Sequence, residues 1–256
     1  MIDARAVVSP EAQLAADVSV GPFSIIGPHV QIGPRTVIGP HAVVNGPTTI
    51  GADNRIFQFA SIGDAPQDKK YQGEPTRLEI GDRNVFRESC TINRGTTHDK
   101  GVTHIGSDNL FMAFSHVAHD CVIGNQTVFA NCASLAGHVE IGDWAILGGL
   151  TAVHQFVRIG AHAFLGGGAV LRGDVPPYVM VAGNPATPHA VNAEGLRRRG
   201  FSEEQIRRIR EAYRTVYRSE MKLAEALTAL APLAQAHPEI RVFVEFIQAS
   251  TRSLAR

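Results

Sequence analysis

Residues 18–39 read VSVGPFSIIGPHVQIGPRTVIG, and an aliphatic residue returns every six positions at Val20, Ile26, Ile32 and Ile38, each followed directly by glycine. A period of six fits neither an amphipathic helix, at about 3.6 residues per turn, nor hairpins that turn every eight to twelve or so. It fits short strands meeting at corners, three to a triangular coil of 18 residues. The spacing runs back to Leu14 and Val8 and forward through Val44, Ile50, Ile56 and Ile62. It returns in phase at Ile80, Phe86 and Ile92, slips by one residue, and continues unbroken from Ile105 to Leu171. Thirteen of these twenty-five positions are followed by glycine, and glycine and small residues mark tight corners. Residues 18 apart then stack at a strand spacing of about 4.8 Å, so roughly eight coils make a prism about 40 Å long with a dry aliphatic interior. The expected fold is mainly β: a parallel β-helix of hexapeptide repeats over residues 1–189, then a small C-terminal α-helical domain over 190–256.

Two polar segments break the rhythm, DAPQDKKYQGEPTRLE at 64–79 and RGTTHDKGVTH at 94–104. They must loop out, and insertions on one face of a repeat array often line its binding site. Beyond Leu171, DVPPYVMVAGNPATP at 174–188 ends the prism with paired prolines and Gly-Asn-Pro. Three helices are expected after it: 201–219, opened by a Ser202-x-x-Gln205 capping box; 221–230; and 238–250, starting at Pro238.

Of the 256 residues 44% are hydrophobic, enough for a substantial core, and the net charge is zero, with no signature of nucleic-acid binding. The N-terminus has Asp3 and Glu11 and no continuous apolar run, so neither a signal peptide nor a membrane span is expected, and a cytoplasmic protein is the default. Cys90, Cys121 and Cys132 lack C-x-x-C spacing, which argues against a disulfide framework and a thiolate zinc site and reads as small buried filler. Residues 190–256 carry twelve Lys and Arg against eight Asp and Glu, a basic balance suited to a phosphate-bearing ligand.

Stacking arithmetic groups the histidines of FSHVAHDC, residues 114–121. His119, Gly137 and Gln155 are 18 apart, as are Asp120 and His138, and as are Ala118, Ala136 and His154. His119, His138 and His154 therefore gather around one corner on successive coils. Two chemistries suit them: three imidazoles holding Zn²⁺ with an open water position, as in a zinc-dependent hydratase, or His119 as a general base whose ring is oriented by Asp120 or another acceptor. A scaffold without catalysis leaves the cluster without a purpose.

The hexapeptide array with its DVPPY and GNPA exit resembles the hexapeptide acyltransferase superfamily. A narrower set of motifs, QFASIGDAPQDKKYQGEPTRLEIGDRN (58–84), TINRGT (91–96), HVAHDC (116–121), LAGHV (135–139), AVHQF (152–156) and VNAEGLRRRGFS (191–202), resembles the acyl-carrier-protein-dependent UDP-N-acetylglucosamine O-acyltransferases of lipid A biosynthesis over essentially the whole chain. The resemblance implies a left-handed coil, where the usual crossover rule favours a right-handed one. It also implies a homotrimer working without metal or cofactor, with acyl carrier protein and UDP-N-acetylglucosamine as partners.

By the same resemblance His119 is the base, Asp120 supports it, and Gly137 offers its backbone N–H to the oxyanion. Gln67, Asp68 and Lys70, with Asn93, His116, His138, His154 and Gln155, contact sugar, diphosphate or acyl chain. Asn192, Glu194, Arg198 and Arg199 reach uridine and phosphates from the helical part. Two positions carry particular weight: Asn93 stands where the family commonly has His, which removes any ionisable role there, and Gly167 matches the acyl-length ruler and leaves the groove open to a longer chain.

Overall fold

The computed structural model describes residues 1–255, and among them the chain winds through twenty-seven short strands before four helices. The strands form three sheets of nine, eight and ten members, and each strand pairs with those one coil before and after it. Pairing is parallel and in the expected register: Val7 and Val8 lie against Ile25 and Ile26, Ser19 and Val20 against Val37 and Ile38. Three sheets folded into one coil make the prism, and the sixth-residue positions point into it. From Val20 to Leu171 all of them are at most 5% exposed. Three of the largest, Phe86, Phe111 and Phe129, stack along the axis with ring centres 4.9 and 4.6 Å apart.

The corners differ from the reading of glycine as a turn-former. Nineteen non-glycine residues have φ between 56° and 72°, and eighteen of them stand three positions after an inward residue, among them Phe23, Arg35, Asp120, His138 and Phe156. Apart from Gly63, at φ 77°, the glycines that follow the inward residues have ordinary φ; what excludes a side chain there is the next coil. A Cβ on Gly33 would lie 2.6 Å from the Gly51 carbonyl carbon, and one on Gly106 2.5 Å from the Gly124 oxygen. A left-handed backbone is unfavourable for residues bearing a Cβ, and stacking of the outward corner side chains offsets part of that cost. Phe23, His41 and Phe59 stack at 5.1 and 5.4 Å, and Arg35–Asp53 and Arg83–Asp108 pair at 2.7 Å.

Both interruptions loop out, with ends slightly inside those read from the sequence. Strands Ser61–Asp64 and Arg77–Ile80 bound the first, and Thr91–Asn93 and Val102–Ile105 the second. Leu78 and Thr103, assigned to loops for their charged neighbours, are fully buried strand residues. Across the first loop Ser61 pairs with Thr91, twelve residues more than one coil; across the second Thr91 pairs with His116, seven more. Twelve is two repeats and preserves the phase. Seven is one repeat plus one residue, which is the slip seen before Ile105.

The last strands, Val179–Ala182 and Thr187–Val191, turn back antiparallel. Four helices follow: α1 (Ala193–Arg198), α2 (Glu203–Tyr217), α3 (Leu223–Ala236) and α4 (Pro238–Gln248). The capping box of Ser202 and Gln205 is formed, and α4 begins at Pro238. Helix α3 extends six residues past its expected end and carries Pro232 inside it; the short α1 was not among the three helices expected. The chain then returns to close the prism, Asp174 N–H donating to the Ser253 carbonyl and Ala255 N–H to that of Asp174. No helix among the described residues is long and apolar enough to cross a membrane. Cys90 and Cys121 are buried fillers, their thiols pushed by burial up to about 11 and about 12, whereas Cys132 is only half-buried at a corner.

The aromatic column is the most sensitive part of this interior. Phe111→Ala should destabilise the protein by about 3–5 kcal/mol, read as a lowered unfolding midpoint, while Ile25→Ala at the exposed face should change it by less than about 0.5 kcal/mol.

Candidate active site

The site occupies one corner, at the second and third residues after the inward positions Val117, Leu135 and Val153. Backbone bonds lock the three coils there, His138 N–H to His119 carbonyl at 3.0 Å and Phe156 N–H to Gly137 carbonyl at 3.1 Å. His119 Nδ1 lies 2.9 Å from Asp120 Oδ2, and the Asp120 side chain is fully buried. Its carboxylate also accepts the Thr96 N–H at 3.0 Å and the Thr96 hydroxyl at 2.7 Å, while Thr103 Oγ1 accepts the Asp120 N–H at 2.8 Å. Burial by itself raises the Asp120 pKa, but the hydrogen bonds from His119 and Thr96 outweigh it and hold the carboxyl below its ordinary value. An acceptor at Nδ1 makes His119 the Nδ1–H tautomer and leaves Nε2 as a free lone pair.

Gly137 faces that ring. A Cβ there would come 2.5 Å from His119 Cε1 and 2.7 Å from Nε2, so only glycine lets the coil backbone approach the imidazole this closely. His138 stands edge-on to His119 with ring centres 4.9 Å apart and stacks flat on Phe156 at 4.3 Å. These residues line a cavity of about 560 Å³ that includes Gln67, Asp68 and Lys70 from the first loop, Thr96, His98 and Asp99 from the second, and Gln155. The first loop is pinned by Arg94, which donates to the Gly63 carbonyl at 2.8 Å and the Tyr71 hydroxyl at 3.1 Å.

Of the eleven residues expected around the base, the structure brings eight together, with three exceptions. His154, one step nearer its inward residue than His119, is exposed and has Nδ1 3.2 Å from the Gln155 carbonyl. The expected trio of histidines does not converge: ligand atoms within 4.8 Å of one another come from His119, Asp120 and His138. Nδ1 of both rings is bonded to a carboxylate, and His154 lies outside the group, which argues against a three-histidine zinc site. His116 bonds the Thr91 hydroxyl at 2.7 Å on the strand, and burial, helped by His119, lowers its pKa and keeps it neutral. Asn93 is buried and donates to the Ala65 carbonyl at 3.0 Å, fixing the root of the first loop rather than lining the cavity. Thr96, His98, Asp99 and Phe156 were not singled out. Phe156 was within reach of the 18-residue count from His138; the loop residues have no periodicity to betray them.

A second cavity of about 620 Å³, sharing no lining residue with the first, holds Asn192, Glu194, Arg198 and Arg199 beside Trp144, Ile146, Phe164 and Met180. Asn192 caps α1 by accepting from Gly195 N–H at 3.1 Å and donates to the His162 carbonyl at 3.0 Å. Arg198 pairs with Glu194 at 3.1 Å on the surface. Arg199 is half-buried over the Trp144 ring at 4.7 Å, and burial, then the neighbouring Arg198, lowers its pKa. His162, packed among Trp144, Tyr178 and Phe201, is held neutral by burial and Arg199, its pKa brought to about 4. Gly167 is exposed on its coil, and a Cβ there would touch only the Gly149 oxygen at an ordinary 3.4 Å.

Because the folded pKa of Asp120 is depressed, its contribution to stability is present above the unfolded value near 4 and lost as pH falls through the lower folded value. Thr96→Val removes one donor to that charge and should cost about 1.5–3 kcal/mol. Melting curves of variant and wild type should differ near pH 7 and draw together below about pH 4.

Comparison with known proteins agrees with this geometry. Residues 174–255 match the family model "Udp N-acetylglucosamine O-acyltransferase; Domain 2", and residues 11–46 and 103–137 match "Bacterial transferase hexapeptide (six repeats)". The chain is 56% identical over its full length to the acyl-[acyl-carrier-protein]–UDP-N-acetylglucosamine O-acyltransferase of Thiobacillus denitrificans, covering 99% of that protein. Among solved structures it is similar to the UDP-N-acetylglucosamine O-acyltransferase of Moraxella catarrhalis, with 46% identity, TM-score 0.98, and 100% and 99% of the two chains covered. The acyltransferase of Francisella novicida gives 42% identity and TM-score 0.98, with 100% and 94% covered. A coil of the opposite hand could not superpose so closely, which accords with the left-handed sense implied by the motifs. With more than half of its residues identical to such a relative from end to end, the chain belongs to the acyl-[acyl-carrier-protein]–UDP-N-acetylglucosamine O-acyltransferase family.

Proposed function

We propose that the protein transfers a (3R)-3-hydroxyacyl group from acyl carrier protein to the 3-hydroxyl of UDP-N-acetylglucosamine, the first step of lipid A biosynthesis. The observation that carries this reading is the His119–Asp120 dyad with the Gly137 backbone against its ring, at the wall of a polar cavity. The free Nε2 of His119 takes the proton of the sugar hydroxyl as its oxygen attacks the thioester carbonyl. Asp120, held ionised by Thr96, stabilises the imidazolium that forms. The tetrahedral oxyanion accepts the Gly137 N–H, and on collapse the C–S bond breaks and the leaving thiolate takes the proton from Nε2. A neutral His119 is required at the start and is restored at the end.

Gln67, Asp68, Lys70, His138 and Gln155 bind the sugar and its diphosphate around this base, and His116 and His154 serve at its margins. The second cavity, with apolar walls for a base and guanidinium groups for phosphate, takes the uridine diphosphate end through Asn192, Glu194, Arg198 and Arg199. The two cavities share no residue, which favours a homotrimer in which neighbouring subunits complete one another's sites. Carrier protein, as an acidic partner, docks on basic residues of the helical part, and the reaction takes place in the cytoplasm.

Purified protein should form one product from UDP-N-acetylglucosamine and hydroxyacyl carrier protein, unchanged by a chelator. Loss of turnover on chelation, or no product with any donor, would return the zinc or scaffold readings. His119→Ala should lower turnover by about a thousandfold or more with the protein still folded and its oligomeric mass unaltered, though with a lowered melting midpoint because Asp120 loses one donor. Gly167→Met should cut use of fourteen-carbon donors by about tenfold while sparing ten-carbon ones, and strong preference of the wild type for ten carbons would contradict an open groove.

A further inference from the structure

His138 is oriented by a carboxylate from outside its own coil. Its Nδ1 lies 2.7 Å from Oδ2 of Asp99, which belongs to the second loop. A carboxylate at that distance accepts, so the ring proton is on Nδ1 and Nε2 is an acceptor, with no partner among the described residues, on a ring that lines the cavity. Asp120 does not substitute for it. Its nearer oxygen is 4.0 Å from the same Nδ1 and already receives the Thr96 hydroxyl and His119. Phe156 beneath and His119 at the edge fix the ring plane, so Asp99 has only the proton and the in-plane rotation left to decide.

The loop that supplies Asp99 is itself tied down. Thr96 carbonyl accepts the Gly101 N–H at 3.0 Å, and Lys100 pairs with Glu140 at 3.1 Å, which pairs in turn with Arg158 at 3.2 Å. One insertion thus delivers Thr96 to the carboxylate behind His119 and Asp99 to the imidazole beside it. Two rings with centres 4.9 Å apart are close enough to address neighbouring groups on a single ligand.

Resting on the acyltransferase reading above, we propose that Asp99 is a positioning residue that holds His138 as the Nδ1–H tautomer, so that Nε2 accepts a hydrogen bond from the sugar 4-hydroxyl, adjacent to the hydroxyl that His119 deprotonates. His138 transfers no proton; it reads the acceptor. The interaction is present in ground and transition states alike, so its loss falls on KM for the sugar nucleotide.

The test is steady-state kinetics of wild type, Asp99→Ala, Asp99→Asn, His138→Phe and the double variant Asp99→Ala/His138→Phe, with UDP-N-acetylglucosamine and its 4-deoxy analogue as acceptors. Wild type should use the analogue about tenfold less well. Asp99→Ala should raise KM for the full substrate about tenfold and treat the two acceptors alike. Asp99→Asn, which keeps an acceptor oxygen, should recover most of the discrimination, and the double variant should be no worse than His138→Phe. An unchanged KM in Asp99→Ala, additive losses in the double variant, or a fall in kcat equal for both acceptors with a lowered melting point would overturn the assignment. An inactive wild type would reject the acyltransferase reading and the proposal with it, whereas an active wild type beside an indifferent Asp99→Ala rejects the proposal alone.

Discussion

Stacking of one inward aliphatic side chain per six residues on its counterpart a coil away is the interaction on which the rest of this structure depends. Each of these positions from Val20 onward is almost fully buried, worth about 1.5–3 kcal/mol of transfer free energy apiece, and the parallel ladders between coils satisfy the backbone that the stack buries. Since every inward residue sits over another one coil on, the chain cannot shift by one residue locally without emptying its interior. That rigidity is why both loops must leave and rejoin the coil in whole repeats, or else reset the phase for everything after them, as the second does.

The constraint places cost and opportunity at the corners. A sharp bend every six residues puts the third residue after each inward position into the left-handed region, which non-glycine residues adopt at a price in strain. Side chains at these positions point outward and lie one coil apart in columns, and three uses of the columns are visible. One corner carries the aromatic stack Phe23–His41–Phe59, another the ion pairs Arg35–Asp53 and Arg83–Asp108, and the third Asp120, His138 and Phe156. The site is the corner column in which Asp120 and His138 are polar and Gly137 stands beside His119, so that the coil backbone and an imidazole can meet. Electrostatically it works because the Asp120 carboxylate is taken out of water and repaid by three donors.

Much of this was legible in the chain. Register, sheet membership and the meeting of His119 with Gly137 follow from counting in eighteens, because a β-helix turns sequence separation directly into spatial separation. Other features escaped the count for identifiable reasons. Three histidines at neighbouring repeat positions read as one cluster, yet His154 is one step off in the corner and faces solvent. Glycines that read as turns are required instead by the coil above them. The end of α3 was hidden by Pro232, which tertiary packing of the helix against α4 tolerates.

What the sequence by itself determined is everything that is periodic: the prism, its register, the corner on which His119, Asp120, Gly137 and His138 sit, and the phase change between Ile92 and Ile105. Only the tertiary structure decided what the two loops do there. Thr96 and Asp99 reach the dyads across 24 and 39 residues of chain, and Arg94 ties the first loop from within the second. The physical reason is that a loop residue has no repeat to place it. Its position is set by which buried donors and acceptors it must satisfy, and these are defined only once the coils have stacked.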